Sequence, residues 1–191
     1  KNWLENLLND HKNNNSSYTG GKLIEKNIDK NIFNKWRSIH LIQNWGDKSF
    51  KNPPFIFGCN NLLNKEVISK IGLYDEDLKT NGEDVAFSRK LSESDISTYY
   101  SERAYCYHIQ HDNLISLSKR YWRYKTFAYK IKKFSFYKFI KMSIKEFKIL
   151  LKRIIKDISK KKYDLLKLEI PITLNFIYFE FIQTIRNFYK R

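Results

Sequence analysis

Cysteine is scarce: the 191 residues contain two, Cys59 and Cys106. Two thiols build neither a disulfide framework nor a zinc-finger ligand set, and a reducing compartment is the simplest reading. Long hydrophobic runs are missing too. No stretch of about 18–20 apolar residues is free of charge, so no transmembrane helix of ordinary length is expected. No signal-peptide pattern follows Lys1, although a region preceding it could hold an anchor or a leader. There is no Gly-rich phosphate loop, no P-loop, no internal repeat and no recognised nucleic-acid module. What remains is 42% hydrophobic and 16% aromatic, enough for a folded domain with a real core. Lys, Asn and Ile are abundant, as in products of AT-rich genomes, so a single lysine carries little weight.

The net charge of +16 is unevenly placed. Residues 1–118 hold 15 Lys/Arg and 15 Asp/Glu, whereas residues 119–191 hold 21 and 5. The front of the chain is electrically ordinary, and the back seeks anions.

Periodicity gives a coarse order of elements. Trp3, Leu4, Leu7 and Leu8 share a helical face in residues 1–10, and residues 11–21 read as a polar loop. KLIEKNI, from Lys22, reads as a short strand. Residues 31–45 have helical spacing, and KNPP is a loop because proline biases its predecessor away from helix. FIFGCN (55–60) reads as a short buried strand. A helix over 64–71, capped by Asn64, stops at Gly72. A turn and the helix EDVAFSRKLSES follow. Residues 96–109 give one or two strands, and a long basic helix starts near Asn113. This alternation suggests an α/β or α+β fold.

One stretch stands out in that order. TNGEDVAFSRKL (80–91) sets Glu83 and Asp84 side by side at a helix start, after Asn81 and Gly82. Acids in a first turn meet the positive end of the helix dipole, worth ~0.3–1 kcal/mol, and a boundary residue beside them caps the helix. One of the two is alternatively a general base. The surroundings weigh on the choice. Gly58 and Asn60 end a strand; Gly72, Leu73, Tyr74, Asp75 and Glu76 follow a helix; Gly82, Glu83, Asp84 and Arg89 come next. Ala104 and His108 lie on a strand, and Arg120, Tyr121, Trp122 and Arg123 lie on a helix. With YTGGK and WRSIHLIQNWG upstream, this ordered set over residues 18–130 resembles the acceptor-side half of a family 2 glycosyltransferase of the GT-A type.

The resemblance implies an α/β fold: a partial GT-A (Rossmann-like) domain in residues 1–130, without its N-terminal nucleotide-binding half, followed in 131–191 by a basic tail of amphipathic helices. It implies inverting transfer of a sugar from a nucleotide diphosphate sugar to a glycan or lipid-linked acceptor. Asp84 would be the base and Glu83 would hold or orient the acceptor. Gly58 and Asn60 would line the substrate site, and Arg120, Trp122 and Arg123 would hold the diphosphate, since Arg offers phosphate a planar fork. The cofactor would be a divalent cation, Mg²⁺ or Mn²⁺, bound mainly by an Asp-x-Asp of the absent half. His108 would complete its shell, although imidazole suits a borderline metal better than Mg²⁺. His111, three residues on, would face the other side of the strand. Asp75 and Asp77 of YDED follow a helix rather than a buried strand, so they read as a turn instead of that Asp-x-Asp. The 191-residue chain alone is then expected to be inactive.

Each assignment has a plainer reading: a helix cap for the acids, a satisfied core or surface residue for His108, a strand-to-helix turn for Asn60, a basic helix start for the arginines. The tail has its own pattern. Ile140, Ile144, Phe147, Leu151, Ile154 and Ile158 recur at steps of three and four, bordered by Lys138, Lys141, Lys145, Lys148, Lys152, Lys156 and Lys160. Leu174, Ile177, Phe181, Ile185 and Phe188 form a second stripe. Such helices lie on anionic membranes, which places the protein in the cytoplasm, peripheral on the inner face of the cell membrane. They alternatively pack on the domain with solvated lysines. The alternative functions are a non-catalytic remnant or a basic module for membrane or nucleic acid, and the second leaves the neutral front half unexplained.

Overall fold

The computed structural model describes residues 2–76, 78, 82–127 and 135–189. In chain order its elements are α1 (Trp3–Asn13), β1 (Tyr18–Glu25), α2 (Ile32–His40), β2 (Phe50–Lys51), β3 (Asn61–Leu63), α3 (Lys65–Ile71), α4 (Glu83–Glu93), β4 (Thr98–His108), α5 (Leu114–Phe127), α6 (Phe136–Ser159) and α7 (Leu166–Tyr189). A 3₁₀ turn, Tyr163–Leu165, leads into α7. The fold is α/β with a mixed sheet. The described chain forms two compact units, residues 1–26 with 42–109, and residues 27–41 with 110–191. The division differs from the expected boundary at residue 130: α2 and α5 belong with the tail helices.

The first unit carries the sheet, in the order β2-β4-β1-β3. Strand β4 runs parallel to β1 and antiparallel to β2, and β3 is antiparallel to β1. The pairing sets Glu25 opposite His108. Gly20 and Gly21 in β1 are needed for space: an added Cβ at Gly21 would run into the carbonyl of Ala104 and the amide of Asn60. Tyr18, Ile56, Val67, Phe87 and Leu91 form one core, and Leu23, Phe55 and Phe57 another, flanked by Trp45, Val85 and Cys106.

Residues 55–57 are buried as expected but belong to no strand. Side chains take the place of a ladder: the Ile56 N–H donates to Ser88 Oγ at 2.9 Å, and Trp45 Nε1 donates to the Phe55 carbonyl at 2.8 Å. The expected loop at 11–21 also shifts, because α1 runs to Asn13 and β1 starts at Tyr18. His11 there is buried between Thr19 Oγ1 (2.9 Å) and Asn64 Oδ1 (2.7 Å). Asn64 stands at the head of α3, yet its side chain makes no cap bond. Gly72 ends α3 with φ of 76°, the left-handed region that glycine tolerates.

The second unit is helical. Trp36, Leu41, Leu117, Tyr121, Trp122, Leu165, Leu168, Ile172 and Phe176 form its core. Each fully buried large side chain there contributes about 1.5–3 kcal/mol. Both tail helices form where the periodicity places them, but α6 is turned differently from an ordinary amphipathic helix. Its buried residues are Glu146, Leu150, Arg153 and Asp157. The stripe of Ile140, Ile144, Phe147, Leu151 and Ile158 faces outward, with Leu151 61% exposed. At about 100° per residue the buried face, the apolar stripe and the lysines occupy three sectors roughly 120° apart. Four of the five acids after residue 118 are inside: Glu146, Asp157, Glu169 and Glu180. No helix among the described residues is long and apolar enough to cross a membrane.

Candidate active site at the head of helix α4

Helix α4 is anchored by its buried residues Phe87, Ser88 and Leu91. Phe87 stacks on Tyr74 at a centroid distance of 4.5 Å and meets Tyr18 edge-on at 5.6 Å. These contacts fix where the first turn points. The boundary residue is Gly82, with φ of 92°, and its carbonyl accepts from the Ala86 N–H at 2.9 Å. A side chain at this position would strain the backbone. Asn81, the other expected boundary residue, and Asp77 lie outside the described residues.

Asp84 is half-buried. Its Oδ1 accepts from the Val85 N–H at 2.8 Å and its Oδ2 from the Gly58 N–H at 3.4 Å. Burial pushes its carboxyl above the usual range, against the pull of those backbone donors. Glu83 is also half-buried and also raised, by burial and by the charge of Asp84. Its Oε2 is screened from solvent and has no hydrogen-bond partner among the described residues. The pair thus holds one carboxylate fixed by backbone donors and one with a spare acceptor. Asp84 Oδ1 thereby serves an orphan donor of the first turn, as a capping acid does, whereas Glu83 serves none through Oε2.

Gly58 is exposed beside the pair, and an added Cβ would stand 3.6 Å from the Asp84 Cβ, an ordinary contact. Asn60 corrects the sequence expectation. Its side chain is buried, donates to the carbonyls of Lys22 and Ala104 at 3.0 Å each, and accepts from Trp3 Nε1 at 2.7 Å. Both amide hydrogens and the oxygen serve the fold, so Asn60 is a clip between β1, β4 and α1 instead of a substrate ligand.

His108 ends β4 with Nδ1 2.6 Å from Glu25 Oε1, a carboxylate that is itself buried. Such a partner fixes the ring and its tautomer and would leave Nε2 for a cation. Among the described residues, however, His108 belongs to no group of three ligating side chains. The residues present supply one ligand for a cation and do not make a complete site.

The three residues expected on the diphosphate do not share a face. Trp122 is in the core of the second unit, and its indole N–H donates to Glu180 Oε2 at 2.8 Å. It corrects the expectation: a ring committed to the core offers nothing to a substrate. Arg120 and Arg123, about 60° apart on α5, are half-buried. Arg120 leans toward Asp112 at 3.8 Å, with its Nε buried and unpartnered.

A cleft of about 470 Å³ lies on another flank of α4, lined by Pro53, Val85, Ser88, Arg89, Asp95 and Thr98 among others. Neither acid lines it. Arg89, part of the sequence pattern, faces this cleft and not the acids' side of the helix. Sequence reasoning missed one cluster altogether: His40, Asp157 and Glu169 come together inside the second unit. The available signal was the spacing of Glu146, Leu150, Arg153 and Asp157, which puts two acids and an arginine on one face of α6. No protein-family model, curated protein or solved structure matches this chain.

Proposed function

We propose that this chain is the acceptor-side part of a GT-A glycosyltransferase of family 2, with Asp84 as the general base of an inverting sugar transfer. The observation that carries the reading is the state of Asp84. It is held at a helix head by the Val85 and Gly58 N–H groups, is partly open to solvent, and has its pKa raised by burial. A carboxylate raised toward the working pH is a better acceptor for a hydroxyl proton. Glu83, with its unpartnered Oε2, is suited to hold an acceptor hydroxyl in place. The donor would be a nucleotide diphosphate sugar and the acceptor a glycan or a lipid-linked sugar. The divalent cation of the reaction, Mg²⁺ or Mn²⁺, would be held mainly by residues outside this chain, with His108, oriented by Glu25, as one ligand. It would offset the charge of the leaving diphosphate. The test is Asp84→Asn in a polypeptide that joins these residues to a nucleotide-binding half. We expect kcat to fall by ~10²-fold or more with donor affinity little changed. Near-native turnover would return the pair to a helix cap.

The exposed stripe of α6 favours a second element of the reading, docking on an anionic membrane. Ile140, Ile144, Phe147, Leu151 and Ile158 are exposed next to a sector of lysines. Phe139 of α6 meets Phe181 of α7 at 5.6 Å, and exposed Phe136 and Phe188 extend the apolar edge. Apolar area beside positive charge matches a surface with acyl chains beneath anionic headgroups, each basic residue near it adding ~1 kcal/mol. The full chain should sediment with vesicles containing anionic lipid and not with neutral ones, less so between ~50 and ~500 mM salt. Replacing Ile144, Phe147 and Leu151 with Ser should remove the salt-resistant part. Equal binding to both vesicle types, or to neither, would sink this element without touching the catalytic one.

A further inference from the structure

The geometry points to a divalent transition-metal site inside the second unit, formed by His40, Asp157 and Glu169. It is independent of the glycosyltransferase reading and of any cation used in that reaction. His40 ends α2, Asp157 lies in the last turns of α6, and Glu169 lies in the first turns of α7. One ligand atom from each lies within 4.8 Å of the others. His40 Nε2 is 2.9 Å from Asp157 Oδ1 and 3.5 Å from Glu169 Oε1. Ligands held ~2.1 Å from a shared cation stand about 3.0–3.4 Å apart in octahedral or tetrahedral arrangement, and the observed separations bracket that spacing.

Satisfaction of the polar atoms makes a second, separate case. The His40 side chain is 2% exposed and that of Asp157 0%. Apart from that 2.9 Å approach of His40 to Asp157, no donor among the described residues serves Asp157 Oδ1 or Oδ2, and His40 Nε2 makes no hydrogen bond there. Leaving three buried polar atoms unpaired is costly, and a charged carboxylate is the costliest of them. A cation bound by His40 Nε2, by both oxygens of Asp157 and by Glu169 Oε1 would satisfy all three at once and close a four-donor shell.

The surroundings fit. Glu169 is held by the indole N–H of Trp36 and by Arg153 Nε, the outer contacts that orient a ligating carboxylate. Arg153 also donates to Glu146 Oε1 at 2.8 Å. Of the Lys and Arg side chains among the described residues, Arg153 is the one ion-paired with Glu169, and it is shared with Glu146; none is ion-paired with Asp157. Lys156, beside it, gives its ammonium to the Ile39 carbonyl at 2.7 Å. A divalent ion would supply the positive charge that Asp157 lacks there. One imidazole and two carboxylates suit Zn²⁺ or Mn²⁺ better than a soft thiophilic ion. The role would be structural, joining α2, α6 and α7.

The experiment uses the full chain, stripped with a chelator and titrated with Zn²⁺ alone and Mn²⁺ alone. Calorimetry reads the stoichiometry, and thermal unfolding reads the Tm. One equivalent of at least one ion should bind and raise the Tm. Asp157→Asn, which keeps shape and volume, should weaken that binding by ~10²-fold or more and abolish the Tm rise, as should His40→Gln. No binding of either ion to the stripped wild-type chain would overturn the proposal, as would binding that both variants leave unchanged. The wild-type titration decides even where a variant fails to fold.

Discussion

Changing Asn60 to aspartate tests whether that side chain serves the fold or a substrate. In the structure its two amide hydrogens go to the carbonyls of Lys22 and Ala104, 38 and 44 residues away in sequence, and its oxygen takes the Trp3 indole N–H. Aspartate keeps the bond from Trp3 but turns an oxygen toward two carbonyl oxygens. Two hydrogen bonds worth about 0.5–1.5 kcal/mol each are lost, and both acceptors stay buried and unpaired. A carboxylate in a site 1% exposed adds the cost of an uncompensated charge. Together these give about 3–5 kcal/mol, a large part of the ~5–15 kcal/mol that holds a typical domain. Urea unfolding followed by circular dichroism would read this as a lower midpoint. Asn60→Ala, which removes the bonds without adding charge, should cost less, about 2–3 kcal/mol. Acid should narrow the gap for the Asn60→Asp variant alone, because a protonated carboxyl regains one donor. A midpoint for Asn60→Asp within ~0.5 kcal/mol of wild type, the range of ordinary surface changes, would refute the clip.

Arg153→Met should destabilise the chain by about 3–5 kcal/mol, because Glu146 and Glu169 lose their buried cation and Tyr121 and Thr173 lose a donor; thermal melts read it, and adding Glu146→Gln should recover part. Glu180 has its pKa raised above 4.5 by burial, so its favourable contribution is present at low pH and is lost as pH rises through the raised value. Glu180→Gln should therefore gain stability relative to wild type as pH is raised from about 4 to 8, and a Tm difference independent of pH would contradict the assignment.

Much of this molecule is legible in local pattern. Helices α1, α3, α4, α6 and α7 and strand β4 lie where periodicity and glycine place them, because those signals act over one or two turns, whereas α2 stops at His40, short of the helical spacing that runs to Trp45. The acids of α4 are legible for the same reason: Gly82 fixes the helix start, and the two residues after it must lie in the first turn. What fails to show is whatever depends on a distant partner. Residues 55–57 have the composition of a strand, but Ser88 and Trp45 take their backbone groups. Asn60 and Trp122 have the polar and aromatic character of site residues, and only the folded chain reveals that a carbonyl or Glu180 already occupies them. The grouping of 27–41 with 110–191 has no local signal either. Trp36 makes the point: its helical spacing predicts burial, whereas its bond to Glu169 spans 133 residues.

The basic half resolves into two kinds of charge with different work. Four of its five acids are buried, and the fifth, Asp164, is paired at the surface with Lys35 at 2.7 Å. Sequence counting subtracts these acids from the lysines, but the surface does not, since a carboxylate held by Arg153 or Trp122 in the interior does little to offset an exposed ammonium a helix width away. The outside of α6 is therefore more positive than its composition implies. Screening acts unequally on the two sets. At ~0.15 M salt the Debye length is about 8 Å, which weakens exposed lysines and leaves the buried pairs largely unscreened. Raising the salt should then release the chain from an anionic surface well before it unfolds. Neutralising Lys141, Lys148 and Lys152 with Gln should likewise reduce vesicle binding while changing the Tm little, since all three are exposed. A large loss of Tm in that triple variant would mean that these lysines hold the fold together, and the separation of inner acids from outer bases would fail.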